Sequence, residues 1–380
     1  VPEPADRSGR RELTAAVGFG ADDADLVLTL GPRHPSTHGA LRLALVLDGD
    51  RIVSADPRVG FVHRGAEKLF EVRDYRQVMA LANRHDWHAA FAGELGIALA
   101  VERMLGLAVP PRAVWLRTLF AELTRITSHL AFLGALPGAG AAAPRAAALA
   151  REELLAVLEE ATGARIHPMI ARLGGLGQDV PAGWASRAAR AFDAVRSQLT
   201  DLDAGLEPAL PPLSGIGVLA RSVALAYGAS GPVARASGVD LDLRRDEPYL
   251  AYSDLAPVPV VVDSRGDALA RVSCMRAQLD VSLDLASACL DRLPAGPVSV
   301  RLPKVVRPPE GTSFGWTESP SGVFGCYLVS RGEPTPYRVH LRTPSFAHVA
   351  LLAELLPGAA LGEVSGILAS VFFVVGDVDR

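Results

Sequence analysis

Two histidines four residues apart, His34 and His38, lie in the segment Gly31-Pro32-Arg33-His34-Pro35-Ser36-Thr37-His38-Gly39. Pro35 and Gly39 argue against a helix here, so both imidazoles are expected on a loop, where polar side chains can face a cavity. An imidazole titrates near neutrality, so it can hydrogen-bond a ligand and pass it a proton; two ordinary surface histidines are the alternative. A second cluster places His63, Arg64, Glu67 and Lys68 within six positions. It reads as the head of a capped helix, where the helix dipole favours a Glu. A third, Asn83-Arg84-His85-Asp86-Trp87-His88, sets His85 and His88 at i and i+3. Those are two potential metal ligands where three or four are needed, so no metal is expected. Further on, Glu122, Arg125 and His129 share one helix face, either a solvated one or an internal polar network.

The elements that must position these residues follow from periodicity. Apolar runs at 26–30, 41–47 and 52–55, the last two joined through Asp48-Gly49-Asp50, predict a small antiparallel sheet. From Ala66 the period becomes helical, with helices near 67–82, 86–106, 111–135, 144–161 and 184–205. Beyond about residue 213 Gly and Pro rise. A helix at 272–293, strands at 298–302, 324–330 and 337–342, and helices near 346–356 and 362–370 follow. No internal repeat or long linker interrupts the pattern. The expectation is an α+β fold: a helical bundle core with small antiparallel sheets at its ends, one domain over 26–380 after a flexible N-terminal extension at 1–25.

Composition narrows the function. The chain has 380 residues, 49% of them hydrophobic and 21% charged, enough to bury a large core. Net charge is -4 with both signs mixed along the chain, which gives no footprint for nucleic acid or for an anionic lipid surface. Three scattered cysteines, Cys274, Cys289 and Cys326, fit neither a disulfide framework nor a CxxC motif and point to a reducing compartment. The first 25 residues lack the apolar core of a secretory signal. Two apolar windows, 91–109 and 130–150, are interrupted by charges or by Gly and Pro, so no transmembrane segment is expected. A role at a membrane therefore needs a partner that spans it.

Several strings in fixed order carry a resemblance: HPSTHG, HRGAEK, LAVERMLG with VPPRA after it, ELTRITSHL, RLGG followed by DVP, RASGVDLDLR, YRVHLRTPSF and a terminal GDVDR. In that order, over residue 26 to the end, the chain resembles the D subunits of NADH-quinone oxidoreductases of the complex I type. That family is in turn similar to the large subunit of nickel-iron hydrogenases. The resemblance implies a peripheral-arm subunit on the cytoplasmic face of the membrane, part of a translocase class of enzyme in electron transport. Such a subunit holds no nicotinamide and no cofactor of its own. It forms a quinone cavity with a partner carrying a [4Fe-4S] cluster, above a membrane subunit that channels the quinone. By the same resemblance His38 inherits the place beside the quinone headgroup and the catalytic role. His38 and Trp87 flank that headgroup and His34 also binds the quinone, with Arg64, Glu67, Lys68, Arg84 and Asp86 as supporting polar residues. The stretches 84–89 and 374–377, which match the thiolate pairs of the hydrogenases, contain no cysteine, so nickel is excluded.

The chain also departs from the family. Trp87 stands where the family has a tyrosine, and an indole N–H donates a hydrogen bond but has no accessible proton, unlike a phenol. Family acids correspond to Gly138 or Ala139, to Val323 and to Phe372. Losing these acids together avoids stranding a buried ion, while weakening or rerouting the proton supply. Two functions remain open within the family: a working quinone-reducing subunit with an altered site, or a structural subunit that has lost catalysis. A stand-alone soluble protein that binds a small ligand with the histidine loop is a third, unrelated reading.

Overall fold

The computed structural model describes residues 15–19, 26–32 and 39–380, the first of these as backbone. Four strands open the fold as an antiparallel meander, in order β1 (Ala15–Phe19), β2 (Leu26–Leu30), β3 (Arg42–Asp48) and β4 (Arg51–Arg58). Leu43, Leu45 and Leu47 alternate into the core, as the period of a half-buried strand demands. Gly49 takes the positive φ, 59°, of a two-residue hairpin turn. β1 lies inside the stretch read as an extension, so the sheet begins earlier than the apolar runs suggest.

The helix expected over 67–82 is two helices, α1 (Ala66–Phe70) and α2 (Tyr75–Ala82). Asp74 causes the break: its carboxylate accepts the backbone N–H groups of Arg76 and Gln77, and the Gln77 side chain accepts the Asp74 N–H in return. α3 (Ala90–Leu105) begins four residues later than periodicity indicates, because Asp86 closes a turn first. α4 (Pro111–Gly134) starts on a proline, whose missing N–H costs nothing at a helix start.

The remaining elements are α5 (Ala142–Thr162), β5 (Ala171–Arg172), β6 (Gly175–Leu176) and α6 (Trp184–Leu206). Short helices α7 (Arg221–Ala226), α8 (Gly231–Arg235) and α9 (Leu243–Asp246) lead to the long α10 (Ala268–Asp291). A three-stranded antiparallel sheet follows, β7 (Gly311–Ser319), β8 (Gly322–Ser330) and β9 (Arg338–Arg342). Helices α11 (Pro344–Ala350), α12 (Leu352–Leu355), α13 (Val364–Ser370) and α14 (Val375–Val378) end the chain. The strand expected at 298–302 is only a bridge from Ser299 to Gly175, and β7 is an addition, since its small and polar residues form no apolar run.

α4 is the axis of the bundle, packed against α3, α5 and α10, while β7 and β8 lie on α3. Close approach depends on small residues: a Cβ on Gly315 would lie 2.6 Å from the Gly96 carbonyl oxygen. This is the α+β architecture read from the sequence.

Glu122, Arg125 and His129 are fully buried, so the internal network is the correct alternative for that helix face. Arg125, Arg235 and Arg244 meet the carboxylates of Glu122, Asp242 and Glu318, all of them buried, so three positive charges face three negative ones. Tyr252 donates to Glu122, and the Glu318 N–H donates to the Tyr249 hydroxyl at 3.0 Å. His129 Nε2 donates to the Pro320 carbonyl at 3.1 Å, while its Nδ1 is buried with no partner.

Burial, and then the Arg125 charge, push the His129 pKa down to about 3. Its folded value lies below its unfolded one, so its contribution to stability is complete above pH 6.5 and is lost as pH falls toward 3. A glutamine keeps a donor for Pro320 and does not titrate. His129→Gln should therefore remove one proton from the acid dependence of stability, a slope of about 1.4 kcal/mol per pH unit. Urea unfolding midpoints of both chains across pH 3 to 6.5 measure it; equal slopes would refute the assignment.

Candidate functional site

The turn between α2 and α3 organises the site. Asp86 Oδ1 accepts the backbone N–H groups of His88 and Ala89, each at 3.0 Å, and this fixes the directions of the neighbouring side chains. α14 presses on the same turn through Gly376, where a Cβ would lie 2.6 Å from the His85 carbonyl oxygen. Only a glycine permits that approach.

On one side of this turn lies a cavity of about 790 Å³. Its walls are the turn (Trp87, His88), the end of α4 with the segment after it (Ala131, Phe132, Ala135, Pro137), α13 (Ser365, Ala369), and the C-terminal segment from Phe373 to Gly376. Gly39, Ala40 and Val62 complete it. Apolar side chains dominate, and His88 is the one titratable side chain among these lining residues. Trp87 is half exposed and stacks at 4.1 Å on His88, whose ring lies 4.9 Å from Phe132. Phe132 in turn meets Phe372 edge-on at 5.6 Å. Burial, and then Arg151, push the His88 pKa down to about 4, so its imidazole is neutral at pH 7 and can both donate and accept.

On the other side is a smaller cleft of about 350 Å³, lined by Arg64, Arg84, His85, Asp379 and Arg380 together with Val62, Ala66 and Gly376. Asp379 ties down the loop above it, accepting the N–H groups of Gly60 at 2.7 Å and Val62 at 2.9 Å. Gly376 lines both spaces, so the turn and α14 form the wall between an apolar cavity and a charged cleft.

The residues singled out from the sequence therefore separate. Trp87 lines the large cavity; Arg64 and Arg84 line the charged cleft; Asp86 stands in the wall. Glu67 braces α1 to β9, accepting from Arg338 Nη2 at 2.6 Å and the Leu341 N–H at 2.8 Å. Burial raises its pKa, but these donors and His340 outweigh that and hold it below the usual range. Lys68 points to solvent and pairs with Glu71 at 2.6 Å, so it is not at the cavity. His34 and His38 lie outside the described residues. His85 and His88 diverge to the two sides of the wall, and among the described residues no three His, Cys, Asp or Glu side chains converge as metal ligands. All three cysteines are free and buried.

Sequence reading missed His88, Phe132 and Gly376 as parts of the cavity. His88 had a signal, its adjacency to Trp87; the other two come from distant helices and had none. Phe372 is buried with a left-handed backbone, φ 49°, and the Val323 N–H donates to Ser230 Oγ, so apolar side chains occupy both positions and strand no charge.

A family model described as respiratory-chain NADH dehydrogenase, 49 Kd subunit, matches residues 139–310 and 303–380. The chain is 57% identical to the second D subunit of the NADH-quinone oxidoreductases of Salinispora tropica, over 97% of each protein. It is 56% identical to the first D subunit of the NADH-quinone oxidoreductases of Streptomyces coelicolor, over 97% of this chain and 99% of that one. Among solved structures it is similar to a chain of the membrane-bound sulfane sulfur reductase, an archaeal respiratory membrane complex. There the TM-score is 0.90 at 36% identity, with 95% of this chain and 100% of that chain covered.

Proposed function

Because this chain belongs to the family of the 49 kDa, or D, subunits of NADH-quinone oxidoreductase, we propose that its large cavity receives a quinone for reduction. The observation that carries this reading is the cavity itself, about 790 Å³ of mostly apolar wall with a neutral imidazole and an indole on it. Drug-sized and cofactor-sized rings bind in such spaces, with a few polar groups to orient them. His38 directly precedes Gly39, a lining residue, and in this reading its imidazole bonds the headgroup opposite Trp87. A [4Fe-4S] cluster on a partner subunit supplies electrons; His38 and His88 orient the headgroup, and the aromatic wall excludes water. Phe61, Val62, Leu69 and Val72 are exposed apolar residues on one stretch of chain, which suits docking onto neighbouring subunits. Among the described residues no helix is long and apolar enough to cross a membrane. Peripheral attachment at the cytoplasmic face, through a membrane subunit, fits that.

A second reading has specific support. Apolar or small residues stand at Trp87, Gly138, Val323 and Phe372, so a structural subunit of the same kind of complex would look alike. One experiment separates the two. The purified assembly is assayed for reduction of short-chain ubiquinone and menaquinone, with wild type, His38→Ala and Trp87→Tyr. Activity should fall at least about tenfold with His38→Ala, as loss of a positioned proton donor costs. It should rise with Trp87→Tyr, which restores a phenol. No reduction by any variant, from an intact assembly with reducible clusters, would support the structural subunit.

A further inference from the structure

A second, smaller space lies behind Trp87 and His88, which line it as they line the large cavity. It measures about 60 Å³ and is closed by α4 at Thr124 and Thr127 and by α5 at Arg151, with a mostly apolar wall elsewhere. Arg151 is half-buried there. Its Nε donates to the Thr127 carbonyl at 3.0 Å, which orients the guanidinium, while Nη1 and Nη2 meet no acceptor among the described residues. No Asp or Glu lines the space, and the other guanidinium on it, that of Arg165, is already held by Glu152 and Glu159. Burial lowers the Arg151 pKa, and no carboxylate opposes that.

Thr124 is a second free donor on the same wall. It is 8% exposed, and its hydroxyl makes no hydrogen bond among the described residues. The other threonines of α4 bond back to their own helix, Thr118 to the Val114 carbonyl at 2.9 Å and Thr127 to the Thr124 carbonyl at 3.0 Å. A half-desolvated guanidinium and a buried hydroxyl, both with protons to give and neither with an acceptor, are costly as they stand. Their complement is a group that only accepts and carries negative charge. The volume sets its size: about 60 Å³ is twice the ~30 Å³ share of one water molecule, room for a few heavy atoms and not for a phosphate ester or a nucleotide. The flat fork of Arg151 favours a planar oxyanion over a spherical ion, since two parallel N–H···O bonds need two oxygens.

We propose that this space is a binding site for a small planar oxyanion, of the size of formate or bicarbonate, held by the Arg151 fork and the Thr124 hydroxyl. The site needs neither the quinone nor His38, so it stands apart from the quinone reading. Its place still gives it a consequence for the large cavity. Trp87 and His88 are the partition between the two spaces, and Arg151 is the charge that, after burial, holds the His88 imidazole neutral. An anion on Arg151 cancels that charge from behind the partition.

The test titrates sodium formate into the purified assembly at constant ionic strength, with gluconate, too large for the space, as the balancing anion. The signal is Trp87 emission, taken as the difference between wild type and Trp87→Phe. Wild type should give a saturable change. Arg151→Gln, which keeps a donor for the Thr127 carbonyl, should weaken formate binding at least about tenfold, as loss of hydrogen bonds to a charged group does. Arg151→Lys should weaken it less, because the charge stays and only the fork is lost. Thr124→Val, nearly isosteric, should weaken it about fivefold, the worth of one hydrogen bond. A wild-type signal that does not saturate, or equal affinity in Arg151→Gln, would overturn the site. Unchanged affinity in Thr124→Val would take the hydroxyl out of it, and chloride binding as tightly as formate would rule out the oxyanion assignment. None of these outcomes depends on quinone reduction.

Discussion

Replacing Arg244 by methionine should destabilise the fold by about 3–5 kcal/mol, the usual cost of breaking a buried ion pair from one side. Arg244 is fully buried, and its guanidinium holds two acids: Nη1 lies 3.2 Å from both Glu122 oxygens, and Nη2 lies 2.8 Å from Asp242 Oδ2. Burial alone would raise both carboxyl pKa values, and Arg244 is the largest of the charges that hold them below the usual range. Without it, Arg125 and Arg235 remain against three carboxylates, so one acid is left uncompensated in the interior. That acid would then be held above its unfolded pKa. The loss in the variant should therefore be smaller at pH 5 than at pH 8, because protonation relieves it at the lower pH. Adding Asp242→Asn to Arg244→Met should recover part of the loss, a coupling that a double-mutant cycle by urea unfolding measures. A change under about 1 kcal/mol for the single variant, the range of an exposed pair, would show that this network does not hold the bundle together.

Gly376→Val should lower kcat/KM for short-chain quinone about a hundredfold, the scale expected when reacting groups are displaced by about 1 Å. A Cβ there would lie 2.6 Å from the His85 carbonyl oxygen, and since that atom is backbone, α14 or the turn must move. Movement shifts the wall between the two spaces. It also carries Val375, which lies against Gly39 (a Cβ there would be 3.2 Å from Val375 Cγ2), away from the cavity rim. Overpacking of this kind costs about 1–3 kcal/mol, so the assembly should form and its clusters should still be reduced. Steady-state assays with and without quinone separate the two effects. Unchanged kcat and KM would show that the quinone does not approach this wall.

Most of the elements, and the family, are legible in local stretches of the sequence. Alternating Leu43, Leu45 and Leu47, the Asp48-Gly49-Asp50 turn, and long helical periods such as 111–135 are local patterns, and local sterics and burial decide them. The ordered strings from HPSTHG to GDVDR placed the chain in its family, which the comparisons show. Trp87 was legible as a departure at a named position. Its place on the cavity is tertiary, as is the split of Arg64 and Arg84 from Trp87 across a wall.

Lys68 shows the limit from the other direction. Its motif grouped it with Glu67, yet helix α1 turns it to solvent beside Glu71 while Glu67 faces β9. The polar triad on α4 left two readings open, because charged residues at helical spacing look the same whether they meet water or other charges. Only the arrival of Arg235, Asp242, Arg244 and Glu318, more than 100 residues away along the chain, settled it as buried and neutralised. The same holds for Gly376 and His85, which no spacing connects. A site made of residues this far apart has no period to read, since it exists only once the core has packed and brought the two ends of the chain against one turn.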